Sequence, residues 1–165
     1  TTYSGDLFAA IGTEGLAAVK AQDKLAAAYV FLSQGTAFMN GGQEFLRTKK
    51  GNENSYQSDD TINAIDLTFK EKYSDVYNVY KGLIALRKAN TSAFGSNTSA
   101  KAEKVSTGVT KYTTGDFLVY FNATDAEVNI SASGYAKSVD VSSGTPTEGG
   151  VVSTVPAKSF VILKK

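Results

Sequence analysis

The spacing of apolar residues changes from a helical to an alternating pattern along the chain. Between Thr13 and Gly35, an alanine-rich stretch carries an apolar stripe with helical periodicity, formed by Leu25, Ala28, Tyr29 and Leu32. Thr13 is a suitable N-cap, and Gly35 can end the helix in a left-handed conformation. The pattern therefore predicts one long helix, Thr13–Gly35.

A strand and a second helix complete the first half. Thr36–Asn40 is a short apolar run bounded by glycines, which after a helix predicts a buried strand of an α/β unit. Lys70–Asn90 has a helical apolar face, and Arg87 and Lys88 suit the negative end of its dipole. The residues on that face are Val76, Val79, Tyr80, Leu83 and Leu86.

A long polar segment, Gly41–Tyr56, separates the predicted strand from the second helix and reads GGQEFLRTKKGNENSY. Loops of this length are uncommon in compact domains unless they bind something or are disordered. In open α/β sheets and in βα barrels, ligands lie at the carboxyl ends of the strands. Because this loop leaves that end of the predicted strand, we expect it to contact a ligand.

The second half, beyond Phe94, consists of short runs rich in Thr, Ser and Val, separated by Gly, Asn, Asp and Pro. This spacing predicts an antiparallel sandwich or meander of roughly five to seven strands. The first half, by contrast, offers a single strand, and a parallel strand needs partners on both edges. The sequence is therefore expected to be the end of a larger protein.

Composition excludes several kinds of chemistry. The chain of 165 residues has 17 basic and 16 acidic side chains, so nothing in its charge indicates nucleic-acid binding, and no apolar run is long enough for a membrane span. It contains no histidine and no cysteine, which excludes Ser-His and Cys-His nucleophiles and thiolate or imidazole metal sites. Carboxylates remain available, and glycoside hydrolysis uses them.

The block from about Lys20 to Asn90 closely resembles the end of the (β/α)8 barrel of type I pullulanases, in glycoside hydrolase family 13. The pieces FLSQG, GQEFLRTK and NSY, followed by VYKGLIALRKAN, carry the resemblance. It implies an α+β fragment in which residues 1–92 supply the last helix-strand-helix of the barrel. Residues 93–165 would form the C-terminal antiparallel β-sandwich, whose last strand in that family often reads like VPAKSFVIL.

The resemblance also indicates what this segment lacks. Family members cleave α-1,6-glucosidic branches with retention, using an aspartate nucleophile, a glutamate acid/base and a second aspartate, and none of those motifs is in this chain. Retention requires two carboxylates about 5–5.5 Å apart. We therefore expect the isolated segment to be inactive and to need no cofactor. Its expected partners are an α-glucan and the rest of the barrel, and its expected location is extracellular or on a bacterial cell surface, with a cytoplasmic location as the alternative.

Three loop residues are candidates for substrate binding by this resemblance. The NSY loop of the family lines the cleft, so Asn54 and Tyr56 are expected to contact sugar through a planar amide and a stacking ring. Arg47 is expected either to bond glucan or to brace an acidic residue at the rim. Glu44, and Gln43 beside it, are expected to support the barrel rim rather than perform chemistry.

Other conspicuous residues have structural interpretations. Asp59 and Asp60 precede TINAIDL and favour helix or turn capping, because GNENSYQSDD lacks the ligand spacing of an EF-hand. The tyrosines of the second helix are expected to be packing residues, and the pair Lys49-Lys50 to be solvated. These tyrosines are Tyr73, Tyr77 and Tyr80.

Two alternatives from other functional classes stay open. The β-rich half could be a non-catalytic carbohydrate-binding module, with Tyr112, Tyr120 and Tyr135 as stacking rings. Against this, the chain has no tryptophan, and tyrosines are common in strands. The chain could also be a structural module of a larger surface protein that binds no glucan.

Overall fold

The computed structural model describes residues 5–52, 54–95 and 99–165, with side chains from Glu14 onward. The first half is helical, with α1 (Gly5–Leu32), a 3-10 helix (Gln43–Phe45), α2 (Asp60–Asn63), α3 (Thr68–Lys72), α4 (Ser74–Ala89) and α5 (Thr91–Phe94). The mainly apolar faces of α1 and α4 pack on each other. No helix in the described ranges is long and apolar enough to cross a membrane.

Helix α1 is longer than its periodicity predicts. It begins at Gly5, so Thr13 lies inside it and the prediction of Thr13 as the N-cap is wrong. The sequence ahead of Thr13 contains alanines and no proline, and therefore nothing that must end a helix. The helix ends at Leu32, and Gly35 has a left-handed φ of 104° shortly after that end.

The second predicted helix is interrupted at Tyr73. Its φ of −117° and ψ of 40° are outside the helical region, so α3 and α4 are separate. The predicted apolar face of α4 is confirmed, because all of its members are buried. Tyr73 and Tyr80 are also buried, as packing residues should be.

The strand predicted for Thr36–Asn40 is not formed. These residues have no regular secondary structure, and the ring of Phe38 is 80% exposed. A strand needs a hydrogen-bonding neighbour. In the described part of the chain, all strands lie beyond residue 100 and pair among themselves. The segment therefore has no sheet edge to join, and the prediction of a buried strand is wrong for this chain.

The described residues of the second half form eight strands, slightly more than expected. Their bounds are β1 Lys101–Ser106, β2 Val109–Thr114, β3 Phe117–Asn122, β4 Val128–Asn129, β5 Lys137–Asp140, β6 Thr147–Gly149, β7 Thr154–Val155 and β8 Ser159–Lys164. Six of these strands form an antiparallel sheet in the order β1-β2-β3-β8-β5-β6, and β4 pairs with β7 in a small second sheet.

The central strand β3 is buried on both faces of the six-stranded sheet, whereas the edge strands β1 and β6 are exposed. Phe117, Val119 and Phe121 alternate along β3 and pack against α1 and α4 in the main core. Leu118 and Tyr120 point to the other face, where they pack in a smaller core with Val155 of β7. The sheet therefore lies between the helices and the β4–β7 pair, and the main core joins residues from both halves of the chain.

Candidate functional site

The start of the Gly41–Tyr56 loop is anchored in the core. Phe45 and Leu46 are buried, and the amides of Phe45 and Arg47 both donate to the Gly42 carbonyl oxygen, at 3.2 and 2.9 Å. Gly42 has a φ of 91°, and a Cβ there would lie 2.7 Å from the Arg47 side chain. A glycine is therefore required for this tight turn.

Gln43 and Glu44 act within the loop and on the helix beneath it. Glu44 Oε2 accepts a hydrogen bond from the Gly42 amide at 2.9 Å. Gln43 Nε2 donates to the hydroxyl oxygen of Tyr80 on α4 at 3.1 Å. Both contacts are supporting contacts, which is the kind of role expected for this pair.

Arg47 binds backbone carbonyls and not an acidic side chain. Nη1 donates to Gly41 O at 3.3 Å, and Nη2 donates to Asn63 O at the end of α2. Its Nε is buried and has no hydrogen-bond partner. The guanidinium therefore joins Gly41, at the start of the loop, to Asn63, at the end of α2. Bracing of an acidic rim residue, one of the two roles expected for Arg47, is not among its described contacts.

Asn63, which the sequence gave no reason to single out, is the residue that closes the loop. Its Nδ2 donates to Ser55 O at 2.8 Å and to Ser58 O at 2.6 Å. Its Oδ1 accepts from Lys49 Nζ, which also donates to Ser55 Oγ at 3.0 Å. Lys49 is thus half-buried and bonded, so the expectation of a solvated pair is wrong for Lys49, whereas Lys50 is exposed.

Asn54 and Tyr56 lie on the outer part of this closed loop. Asn54 is exposed, and its backbone amide donates to Asn52 Oδ1 at 3.0 Å. The ring of Tyr56 is 77% exposed. The loop thus holds an amide and an aromatic ring at the surface while Arg47, Lys49 and Asn63 fix its base. An exposed ring and an exposed amide two residues apart in the sequence are groups with which a sugar can stack and hydrogen-bond.

Of the two aspartates after the loop, Asp59 has the expected capping role, and Asp60 is the first residue of α2. Asp59 is the N-cap of α2, where its Oδ1 accepts from the Thr61 amide at 3.0 Å and the Thr61 hydroxyl at 2.6 Å. The bond from the Thr61 hydroxyl, followed by that from its amide, lowers the pKa of Asp59. Across the described side chains, no group of three or more acidic residues could hold a metal ion.

Helix α1 carries a buried carboxyl. Asp23 is 6% exposed, and its Oδ2 is buried without a hydrogen-bond partner. Burial raises the pKa of Asp23 to about 6, against a lowering effect of the Tyr80 hydroxyl. Burial next to this carboxyl also raises the pKa of Tyr80. Asp23 was not singled out from the sequence, because an isolated Asp on a helix carries no signal of burial, whereas Tyr80 was expected to be a packing residue.

Comparison with known proteins shows which enzymes this chain resembles in amino-acid sequence. No family model matches the chain. The pullulanase of Bacillus subtilis (strain 168) is 46% identical over 71 residues, which are 43% of this chain and 10% of that protein. The isoamylase of Pseudomonas amyloderamosa is 34% identical over 90 residues, 54% of this chain and 12% of that protein. The chain therefore spans about a tenth of the length of these relatives.

Solved structures extend the similarity to nearly the whole chain. Pullulanase from Anoxybacillus sp. LM18-11 has a TM-score of 0.75 at 28% identity, over 95% of this chain and 24% of that one. Pullulanase from Bacillus acidopullulyticus has a TM-score of 0.74 at 28% identity, over 88% of this chain and 20% of that one. The mixed helical and antiparallel-sheet fold is that of a segment of these glycoside hydrolases. More particularly, the chain is pullulanase-like, which confirms the resemblance inferred from FLSQG, GQEFLRTK and NSY.

Proposed function

We propose that this chain is the C-terminal portion of a debranching glycoside hydrolase of the pullulanase type. The intact enzyme would hydrolyse α-1,6-glucosidic branches of pullulan, amylopectin or glycogen with retention. Residues 1–92 would complete its catalytic barrel, and residues 93–165 would form a C-terminal β domain that stabilises it. The observation that carries the proposal is the match to pullulanases in both sequence and fold.

The state of the loop supports a role in substrate contact. Its base is fixed by hydrogen bonds from Arg47 and Asn63, so Asn54 and Tyr56 are displayed on a preorganised surface. A preorganised loop loses little conformational entropy on binding. A similar structure, with a TM-score of 0.73, is a pullulanase from Anoxybacillus sp. LM18-11 complexed with maltotriose. We infer that Asn54 and Tyr56 contact the glucan and that Arg47 holds the loop beneath them.

Exposed apolar side chains support a covering partner for the first half. Phe38 is 80% exposed, and Leu67 is 68% exposed. Large apolar side chains that remain in water favour a surface that another group covers. We propose that the rest of the barrel covers Thr36–Asn40 and supplies the strand neighbours that this segment lacks, along with the catalytic carboxylates.

The alternative of a carbohydrate-binding module receives less support. Tyr120 is buried, and its hydroxyl donates to Ser131 O at 2.9 Å. Tyr112 packs partly against the main core, and its hydroxyl accepts from the Gln34 amide at 2.9 Å. Tyr135 packs against the smaller core. These rings are engaged in the fold, so none is displayed as Tyr56 is.

If the catalytic carboxylates lie on the rest of the enzyme, as proposed, the 165-residue chain alone should be inactive. Incubated with pullulan, it should release no reducing sugar above a buffer control, because the nucleophile and acid/base would lie on other polypeptide. Release of maltotriose by the purified chain, abolished by heat denaturation, would contradict the proposal.

Glucan contact at the loop is tested by titrating maltotriose into the 15N-labelled chain. We expect fast-exchange shifts concentrated in residues 47–56, reduced at least severalfold in Tyr56→Ala. Tyr135→Phe, which removes only a hydroxyl on the β half, serves as the matched control and should bind as the parent does. If the largest shifts instead map to β1–β8, the carbohydrate-binding-module alternative replaces this one.

The location of the enzyme follows from its proposed substrate. Pullulan and amylopectin are polymers, so we propose that the intact enzyme acts outside the bacterial cell or on its surface. Fractionation of the source organism, with an antibody against this chain, tests this proposal. Recovery only from the cytoplasm would favour a glycogen-type substrate.

A further inference from the structure

An Asn-Gly pair, Asn40-Gly41, stands at the start of the Gly41–Tyr56 loop. No other asparagine in the sequence is followed by glycine. Asparagine is a thermolabile residue, because the backbone nitrogen of the next residue can attack its side-chain amide and close a five-membered succinimide ring. A glycine in the next position favours the attack, since it has no Cβ to obstruct the approach. The reaction then requires a fold that leaves both groups free.

The turn that contains Gly41 leaves its backbone nitrogen free. Asn40 O accepts from the Gln43 amide at 3.1 Å, and Gly42 has a φ of 91° and a ψ of −9°. These values fit the third position of a type II turn in which Asn40 is first and Gly41 second. The hydrogen bond of such a turn joins its first carbonyl to its fourth amide, so the second amide takes no part. Within the described part of the chain, the Gly41 N–H has no hydrogen-bond partner.

The side-chain amide of Asn40 is equally free. Asn40 is exposed and lies outside regular secondary structure, and among the described contacts only its backbone is hydrogen-bonded. Asn63 and Asn122 differ, because their side-chain amides donate to backbone carbonyls. A side chain held in that way cannot readily rotate onto the next backbone nitrogen. The structure therefore singles out Asn40 by more than the glycine that follows it.

We propose that Asn40 is a deamidation site and that its isoaspartate product releases the start of the Gly41–Tyr56 loop. The Gly41 nitrogen loses its proton, bonds to Asn40 Cγ and displaces Nδ2, which leaves as ammonia with that proton. Water then opens the succinimide ring. Addition of water at Cγ gives aspartate, and addition at the main-chain carbonyl carbon gives isoaspartate. Water is the only co-reactant.

The two products differ in their effect on the turn. Aspartate keeps the peptide backbone and adds a negative charge. In isoaspartate the chain runs through the side chain and is longer by a methylene group, while the former carbonyl of Asn40 becomes a free carboxylate. The Gln43 amide then loses the peptide carbonyl to which it donates, and Gly41 O moves away from Arg47 Nη1, which is 3.3 Å from it in the structure. The consequence for glucan contact rests on the proposed function, whereas the release of the loop does not.

The reaction should be slower in the intact enzyme than in this chain. The proposed cover over Thr36–Asn40 would supply strand neighbours to this segment. A backbone held in a sheet hinders rotation of the Asn40 side chain onto the Gly41 nitrogen. The 165-residue chain is therefore the protein in which the site is tested.

The test incubates the whole chain in warm, mildly alkaline buffer and follows it by peptide mass spectrometry after digestion at acidic pH. The Asn40 peptide should gain about 1 Da, since ammonia is lost and water is gained, and should contain isoaspartate as well as aspartate. It should react at least about tenfold faster than peptides with Asn54 or Asn129, which are exposed but precede residues with a side chain. The rate should rise with pH, because the Gly41 nitrogen must lose its proton.

Two variants separate the chemistry from its effect on the loop. Gly41→Ala should slow the reaction about tenfold, because a Cβ obstructs the attack. It should preserve the turn, since Gly41 is not in the left-handed region and a Cβ there would lie 3.9 Å from Ile65 Cδ1, an ordinary contact. Asn40→Asp carries the charge of the product without the longer backbone. The Gln43 and Arg47 amides should lose hydrogen-exchange protection severalfold in the isoaspartate chain, purified by chromatography, and keep it in Asn40→Asp.

Two results would overturn the proposal. The first is an Asn40 peptide that gains mass no faster than the Asn54 peptide, or as fast in Gly41→Ala as in the parent. The second is an isoaspartate chain whose Gln43 amide keeps its protection. No glucan is present in this experiment, so either result would leave the proposed function intact. Failure of maltotriose binding would likewise leave the deamidation site intact.

Discussion

At the scale of the residue, Arg87 shows how much one side chain can join. Its Nη1 donates to Phe31 O and Ser33 O, both at 2.8 Å, where α1 ends. Its Nη2 donates to Gly35 O and to Phe94 O, the latter at 2.9 Å. The last carbonyls of a helix have no partner within that helix, and here the guanidinium of a neighbouring helix satisfies them.

Replacing Arg87 by Lys should therefore destabilise the protein although the charge is kept. A lysine ammonium cannot reproduce the planar fork that reaches four carbonyls, so we expect a loss of about 1–3 kcal/mol in the free energy of unfolding. Chemical denaturation measures this loss in the free energy of unfolding. Lys88→Ala, at the next and exposed position, is the control and should change stability by less than about 0.5 kcal/mol. Equal effects of the two changes would contradict this role for Arg87.

Gly82 permits a close approach between α4 and the segment that follows β5. A Cβ at this position would lie 2.2 Å from the carbonyl oxygen of Val141, so α4 and the segment after β5 would have to separate. Gly82→Ala should cost about 1–3 kcal/mol of unfolding free energy, despite the better helix propensity of alanine. Gly150→Ala, where a Cβ meets nothing within 4 Å, should be nearly neutral. A stabilised Gly82→Ala protein would show that the contact is not as close as described.

At the scale of the element, the loop behaves as a closed unit because α2 closes it. Asn63 at the end of α2 binds Ser55 and Ser58, and Arg47 reaches the Asn63 carbonyl from the other side. The helix is only four residues long and has no buried residue, so its own packing does not hold it in place. The hydrogen bonds around Asn63 and the Asp59 cap supply that support.

Asn63→Ala should loosen the loop more than it destabilises the protein. Loss of the amide removes the side-chain donor to Ser55 O and Ser58 O and one of the two acceptors of Lys49. This costs roughly 1 kcal/mol at this half-buried site. Trypsin cleavage after Lys49 and Lys50 should then become severalfold faster, as followed by mass spectrometry. Asn129→Ala, an exposed amide on β4, is the control and should leave the cleavage rate unchanged. Unchanged cleavage in Asn63→Ala would remove Asn63 from this role.

At the scale of the whole molecule, the helices and the large sheet share one core. Tyr29 of α1 stacks on Phe121 of β3 with ring centroids 4.0 Å apart, and Phe94 packs on Phe117 at 5.1 Å. Lys20 and Lys24 both pair with Asp75, which joins α1 to α4 at the edge of this core. The buried Asp23 lies on α1 within the same assembly, so its ionisation affects the stability of the whole fold.

The stability of the whole protein should fall as pH rises from about 4 to 7. The pKa of Asp23 is raised from 3.8 to about 6, so between these values the folded state binds more protons than the unfolded state. The contribution of Asp23 to the free energy of unfolding is fully present below pH 3.8 and is lost as pH rises through about 6. This contribution amounts to about 3 kcal/mol at roughly 1.4 kcal/mol per pKa unit. Urea unfolding at several pH values should show this decline, and Asp23→Asn should not.

Glu148 provides a control in a separate pH window. Hydrogen bonds from Lys137 and then Lys164 lower its pKa from 4.5 to about 2, so its contribution is present above 4.5 and is lost in stronger acid. Glu148→Gln should therefore alter the acid limb of the profile and preserve the decline between pH 4 and 7. If Asp23→Asn retains that decline, Asp23 is not its source.

The sequence identified features that depend on nearby residues or on a long specific match. The buried face of α4 follows from its periodicity, and Asp59 caps α2 because a carboxylate two residues before Thr61 can accept from its amide. The resemblance to pullulanases came from short motifs that the comparisons confirm. The candidate contacts at Asn54 and Tyr56 stay predictions, although both residues are exposed as a contact would require.

The tertiary structure decided what depends on distant partners. Thr36–Asn40 has the composition of a buried strand, but a strand exists only where another strand offers hydrogen bonds, and none adjoins it in the described chain. The roles of Arg87 and Asn63 each require atoms from other segments to lie within hydrogen-bond distance. Helical periodicity and helix capping depend on residues that are close in the sequence. These contacts instead depend on how α1, α4 and the sheet pack, which no local pattern encodes.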